Sequence, residues 1–147
     1  MSEKESRSEA LAAAAERRIE LKAAVSNVER AAASASAKPN WRQDLLRELY
    51  ILRVAFDQHV EEVEGPDGLL AEIRTTAPRL GNKIDRVSGE HPDLCRDVAQ
   101  TIDLCEQSDD VDKTRAAVLE VLFALVRHRQ RGADLVYEGY SVDIGGS

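Results

Sequence analysis

The sequence predicts an all-α domain, an up-down four-helix bundle, and three observations predict it. Apolar residues recur at alternating steps of three and four along four separate segments, the spacing that puts them on one face of a helix. Ala, Leu, Glu and Arg dominate, with only 8 Gly and 4 Pro in 147 residues; these side chains lose little rotamer freedom on a helix. The breaks between the segments are short, which makes consecutive helices antiparallel neighbours. No internal repeat and no strand-like alternation competes with this reading.

The elements follow in order. Residues 1–7 are polar and read as a flexible N-terminus, with the bundle over 8–140 and an irregular tail over 141–147. The first helix is expected over 8–36, with Leu11, Ala14, Arg18, Leu21, Val25, Val28 and Ala32 as its seam. Pro39 closes it, since proline removes a backbone donor. A second helix is expected over 41–64, opened by an Asn40–Gln43 capping box, with the seam Leu45, Leu49, Leu52, Phe56, His59, Val63. Gly65-Pro66-Asp67-Gly68 breaks it, and a short helical piece over 69–76 follows.

The third helix is expected over 78–106, with Pro78 in its first turn and His91, Leu94, Val98, Ile102 and Cys105 on one stripe. Pro92 should bend or restart it beside His91. The fourth is expected over 111–138, capped by Asp109, Asp110 or Asp112, with the seam Val118, Val121, Leu125, His128, Gly132, Leu135.

All three histidines of the chain therefore sit on seams, one each on the second, third and fourth helices, and the first helix offers Arg18. Counting from the turns compares their heights. Arg18 lies 21 residues before Pro39 and His59 lies 20 after it; His91 and His128 lie 18 and 19 residues either side of Asp109. At about 1.5 Å of rise per residue, each pair shares a level to within about 2 Å. Four polar side chains should meet in one core layer. A lone histidine on an apolar face is ordinarily a core residue bonded to a carbonyl, but three at one level point to a metal, because imidazole is the commonest transition-metal ligand.

Composition excludes other classes. The formal net charge of −7 argues against nucleic acid, which needs a run of cations, and Arg127–Arg131 reads as a solvated helix face. No apolar stretch reaches the ~18 residues of a membrane span. Cys95 and Cys105 share one helix, about 15 Å apart along its axis, too far to bridge; reduced thiols in a cytoplasmic protein are expected. No nucleophilic triad, phosphate loop or dinucleotide fingerprint is present.

The segments FDQHVEEVEGPDGLL, GEHPDL and LVRHRQRGADLVYE resemble a hemerythrin-like (HHE) domain. That resemblance implies a four-helix bundle with a non-haem di-iron site, held by a histidine on the first helix and His-x-x-x-Glu-type motifs on the others. This chain departs from the pattern. Arg18 stands for the first-helix histidine, and the positions four beyond His59, His91 and His128 carry Val63, Cys95 and Gly132. A standard di-iron centre needs bridging carboxylates and is not expected. Among nearby groups, Glu62 is rotated about 60° from His59 and can reach the core edge, whereas Glu64, about 140° round, points away unless the kink turns it. His59, His91 and His128, with Glu62 or Cys95 in support, are the candidate ligands for one iron or zinc ion. Arg18 repels a dication and is expected to pair with Glu62 or another carboxylate.

Three functions remain open at this point. One is a degenerate hemerythrin-like domain, holding one metal ion or none and acting as a sensor, carrier or regulatory domain, which leans away from catalysis. Another is an enzyme with an unorthodox iron site acting on oxygen, peroxide or nitric oxide. The third is a cofactor-free structural or partner-binding bundle, homodimeric through an exposed helix face. Haem between two imidazoles is a weaker fourth, and a visible spectrum separates these.

Overall fold

A computed structural model describes the backbone of residues 3–145 and the side chains of residues 9–140. The described residues are helical apart from short connections: α1 (Glu3–Ala33), α2 (Trp41–Glu64), a short α3 (Leu69–Thr76), a 3-10 turn (Pro78–Leu80), α4 (Gly81–Gln107) and α5 (Val111–Gly145). The four long helices pack in a ring, α1 on α2, α2 on α4, α4 on α5, and α5 back on α1. Cross-helix bonds show that every neighbouring pair is antiparallel. Arg17 in the middle of α1 faces Glu62 near the end of α2, while Arg115 touches both the end of α1 and Trp41 at the start of α2; Arg42 at the start of α2 donates to the Cys105 carbonyl at the end of α4. Lys83 at the start of α4 faces Glu138 late in α5. Arg115 at the start of α5 donates to the carbonyls of Ala32 and Ser34 (both 2.8 Å), supplying donors that the end of α1 lacks.

The seams account for the packing. Leu21, Val25, Val28, Leu45, Leu49, Leu52, Phe56, Leu94, Val98, Ile102, Val118, Val121 and Leu125 are buried in one apolar cluster. A second cluster gathers Ala14, Val63, Leu69, Leu70, Ile73, Leu80, Ile84, Val87 and Leu135. The polar layer lies between them in every helix: Arg18 falls between Ala14 and Leu21, His59 between Phe56 and Val63, His91 between Val87 and Leu94, His128 between Leu125 and Leu135. The core is thus two apolar halves with a plane of imidazoles between. No helix is long and apolar enough to cross a membrane among the described residues.

Several boundaries differ from expectation. Helix α1 begins at Glu3, not near residue 8, and α5 continues through Gly145 where an irregular tail was expected; residues 1–2 and 146–147 lie outside the described set. A Cβ at Gly139 would lie 3.0 Å from Ile73 Cγ2, so this glycine permits α3 to pack against a continuing α5. Pro92 neither ends nor restarts α4; it sits on the exposed face, away from the packed seam. Asn40 makes no side-chain capping bond, because its backbone (φ −105°, ψ 15°) is not in the extended conformation that aims the side chain at the helix amides. Asp110 does cap α5, accepting from the Lys113 amide at 3.1 Å.

The break after α2 is a tight turn in which the Gly68 amide donates to the Gly65 carbonyl at 2.9 Å. A Cβ on Gly68 would stand 2.5 Å from the Glu62 carbonyl oxygen, so only glycine fits. At Gly132, in the interior of α5, a Cβ would meet nothing within 4 Å. Opposite outcomes are expected from the same chemical change. Gly68→Ala should destabilise by about 1–3 kcal/mol through overpacking against backbone, and Gly132→Ala should stabilise by up to about 1 kcal/mol through helix propensity. Urea unfolding of the two variants checks both signs.

Candidate metal centre

Each histidine enters the core because its seam does. His59 is one turn beyond Phe56 on α2, His91 one turn before Leu94 on α4, and His128 one turn beyond Leu125 on α5. One ring nitrogen from each lies within 4.8 Å of the other two. The ring centroids are 5.6 Å apart for His59–His91, 5.8 Å for His59–His128 and 4.8 Å for His91–His128, all edge-on. Phe56 closes one side, its ring about 6 Å from all three imidazoles. The other side opens on a cavity of about 50 Å³, bounded by Ala14, Val63, Leu69 and Gly132, with Arg18 and Arg129 among its lining residues.

Two carboxylates brace the rings from behind. His91 Nδ1 is 3.0 Å from Glu64 Oε1, and His128 Nδ1 is 2.9 Å from Glu90 Oε1. Glu90 is held in turn by Arg131, whose Nη2 is 2.5 Å from Oε2. An ionised carboxylate only accepts, so in the neutral rings Nδ1 carries the proton and Nε2 keeps its lone pair. Both Nε2 atoms are buried without a hydrogen-bond partner, and so is His59 Nδ1. Buried polar atoms without partners are uncommon in folded proteins. Here three occur in one cluster, two of them with the tautomer that a metal ligand needs.

The protonation states agree. Burial, then the charges of His91, His128 and Arg18, pushes His59 from 6.5 down to about 3. Burial lowers His91, with His128 adding to the shift and Glu64 opposing it. Burial also lowers His128 against the opposing pull of Glu90. Glu90 feels a burial penalty, but its bonds to Arg131 and His128 outweigh this and keep it below the usual carboxylate range. Around neutral pH the layer is three neutral imidazoles, with the Glu90 carboxylate charged behind His128.

The sequence-derived candidates divide. His59, His91 and His128 come together, with Arg18 lining the cavity beside them. Glu62 and Cys95 are engaged elsewhere: Glu62 lies 4.0 Å from Arg17 Nε, and the Cys95 thiol faces Asp57 with Sγ 3.8 Å from Oδ1. The cation opposite Glu62 is thus Arg17 and not Arg18. Both cysteines are free thiols. Sequence reasoning missed Glu64 and Glu90 as bracing groups. Glu64 is turned well away from the His59 direction on its own helix, and that rotation is what lets it reach the imidazole of the next helix.

A conventional two-iron ligand set does not fit these residues. No carboxylate lines the cavity, and Val63 and Gly132 cannot ligate. The three histidines could hold one ion, since a ring nitrogen of each lies within 4.8 Å of the other two.

Depressed histidine values make stability depend on pH in a definite direction. As pH falls below 6.5 the unfolded chain takes up protons that the folded core refuses. Stability is therefore fully present above that value and declines toward about 3, where His59 itself protonates folded. Each histidine so affected contributes a slope of about 1.4 kcal/mol per pH unit. In chelator-treated protein, urea unfolding between pH 7.5 and 4.5 should show this decline, and His59→Leu should flatten it by up to one proton; a flat profile in the parent would contradict the buried neutral layer.

No protein-family model, curated protein or solved structure matches the chain, so the reading of the centre stands on its own geometry.

Proposed function

We propose that the chain is a hemerythrin-like domain that binds a single transition-metal ion, iron or zinc, through His59, His91 and His128, and serves as a metal- or redox-linked sensor or regulatory domain. One observation carries the reading: three buried, unpartnered imidazole nitrogens share one small space, and carboxylates fix the ring tautomer of two of them. Metal-ligating histidines characteristically donate their other ring N–H to a carboxylate, which orients the ring and raises its basicity. The antiparallel ring of four long helices and the placement of each histidine on a different helix support the family reading. Free cysteines suit a reducing, cytoplasmic setting.

When bound, the ion supplies a Lewis-acid or one-electron centre with an open position. The chain's own residues do the rest. Glu64 and Glu90 hold His91 and His128 in place, Phe56 closes one side, and the apolar cavity keeps bulk water from the other. The cavity-lining residues offer imidazoles and arginines but no carboxylate, thiol or phenol, so catalysis would have to draw its acid or base from the same histidines that hold the ion; this favours sensing over catalysis. The rival reading, a cofactor-free bundle, draws on the edge-on ring contacts that fill the layer without an ion.

Titration of chelator-treated, untagged protein with zinc should saturate at one ion per chain, with affinity falling as pH drops through the histidine range. His91→Ala or His128→Ala should lower affinity at least about 100-fold. Glu64→Gln and Glu90→Gln should lower it by about 10–100-fold, as expected for groups that orient ligands. Ferrous iron added in air should give one iron per chain or none, without near-ultraviolet oxo-bridge bands. Two irons with those bands would overturn the single-ion reading, and no uptake of either metal would favour the cofactor-free bundle.

A further inference from the structure

Helix α5 carries two seams. The inner one, through Val118, Val121, Leu125 and Leu135, is buried in the core. The outer one starts at Ala116 and steps by three and four through Leu119, Phe123, Val126, Gln130 and Ala133. At about 100° per residue it lies roughly half a turn from the inner seam, where the rest of the bundle does not cover it. Leu119 is 56% exposed and Phe123 65%, Val126 is exposed, and Tyr137 continues the spacing at 73%. Ile19 of α1, 71% exposed, stands beside this stripe and lines one groove with Val126, Gln130 and Ala133. Five of the eight exposed large hydrophobic residues among the described ones thus gather on one side of the molecule. Scattered apolar residues need no explanation, but a row of them at seam spacing is a surface shaped for another helix.

The charges beside the stripe say which helix. The row next to it reads Lys113, Glu120, Arg127, Asp134, all exposed and alternating in sign every seven residues. This row is on the α4 side, since Glu120 shares a groove with Asp97 and Asp134 shares one with Lys83. Such a row is complementary to its own reverse. When a second α5 lies antiparallel, with Phe123 of one copy against Val126 of the other, Ala116 meets Ala133. Leu119 then meets the stem of Gln130, whose amide donates to Asp134 at 3.0 Å. In that register Glu120 faces Arg127 of the second copy and Lys113 faces its Asp134, and the two-fold axis repeats both pairs. A parallel pairing sets Arg115 against Glu120 instead. The Arg115 guanidinium is already committed to the carbonyls of Ala32 and Ser34 and to the face of Trp41.

We propose that the outer face of α5 is a homodimer interface, in which α5 packs antiparallel on α5 of a second copy of this chain, with Ile19 of α1 at its margin. The inference goes beyond the single-ion reading and is independent of it, because His128 lies on the opposite, buried seam of the same helix. Two chains of net charge −7 repel at a distance, so the four local charge pairs set the partner and the register, and the apolar row holds the contact.

The test is sedimentation equilibrium of the full chain in the presence of chelator. The parent should be dimeric at about 100 μM. Phe123→Glu and Leu119→Lys, both at exposed positions, should each give monomers with unchanged helicity by circular dichroism. Glu120→Arg and Arg127→Glu should each weaken dimerisation at least about tenfold, because each sets two pairs of like charges face to face. The double variant restores both pairs with the signs exchanged and should return to within about threefold of the parent. A parent that stays monomeric up to about 1 mM would overturn the proposal. So would a dimer indifferent to Phe123→Glu and Leu119→Lys, which places the contact on another face. A dimer abolished by those two variants but not recovered by the charge exchange would overturn the antiparallel arrangement.

Discussion

The fold is organised around the cost of burying imidazoles in the middle of an otherwise apolar core. Three neutral rings at one level replace what would be a layer of leucines, and each brings polar nitrogens that lose their water. The arrangement meets that cost only in part. Glu64 and Glu90 accept from His91 and His128, which accounts for the nitrogens that point outward. The nitrogens that point inward have no partner in the protein. A core assembled for stability alone would not hold this layer, since replacing a half-satisfied polar cluster with packed apolar residues usually stabilises. The two apolar clusters above and below provide the surplus that lets it persist.

The bracing runs in one direction around the bundle. A carboxylate at the end of α2 supports the ring on α4, and a carboxylate on α4 supports the ring on α5. The same step from α1 to α2 would support His59, but Arg18 is the α1 seam residue at that level, and a guanidinium cannot accept a hydrogen bond. No carboxylate braces the His59 ring as Glu64 and Glu90 brace the other two, and Arg18 helps to push its protonation down. The centre is therefore asymmetric: two oriented imidazoles and one set by packing against Phe56, with the cation on the side of the third. That asymmetry also shapes the cavity, which opens between α1 and α5, where bracing is absent and Gly132 leaves space.

Much of this was legible in the sequence because the relevant periodicity is local. Steps of three and four identify a seam without knowledge of the partner, so the second helix is read to the residue and the three histidines are placed in the core. Level was legible too, because antiparallel helices share a turn from which residues can be counted, and Arg18 duly appears beside His59. Contacts that cross from one helix to the next were not legible. Glu62 was favoured over Glu64 because both were measured against His59 on their own helix, yet the imidazole that Glu64 serves belongs to α4. Glu90 was visible only as the neighbour of His91, and it serves His128 instead. Helix ends failed for a similar reason. The fourth helix was expected to end at 138, but α5 continues, and the close approach of Ile73 makes the glycine at 139 a packing requirement of that longer helix.

The local rules that the chain breaks converge on one place. Arg18 interrupts an apolar seam, Gly132 interrupts a helix interior, and three histidines occupy positions that leucine would fill more cheaply. Each departure taken alone has an ordinary explanation, such as a side chain that reaches solvent or a neutral substitution. Together they line one cavity, and that coincidence is not explained by stability, since Gly132 forgoes helix propensity with nothing packed against it. Sequences that specify a single fold are consistent across levels except where function imposes a cost. The grouping of the departures around three unpartnered nitrogens therefore identifies the polar layer, and the space beside it, as the part of the molecule shaped by something other than folding.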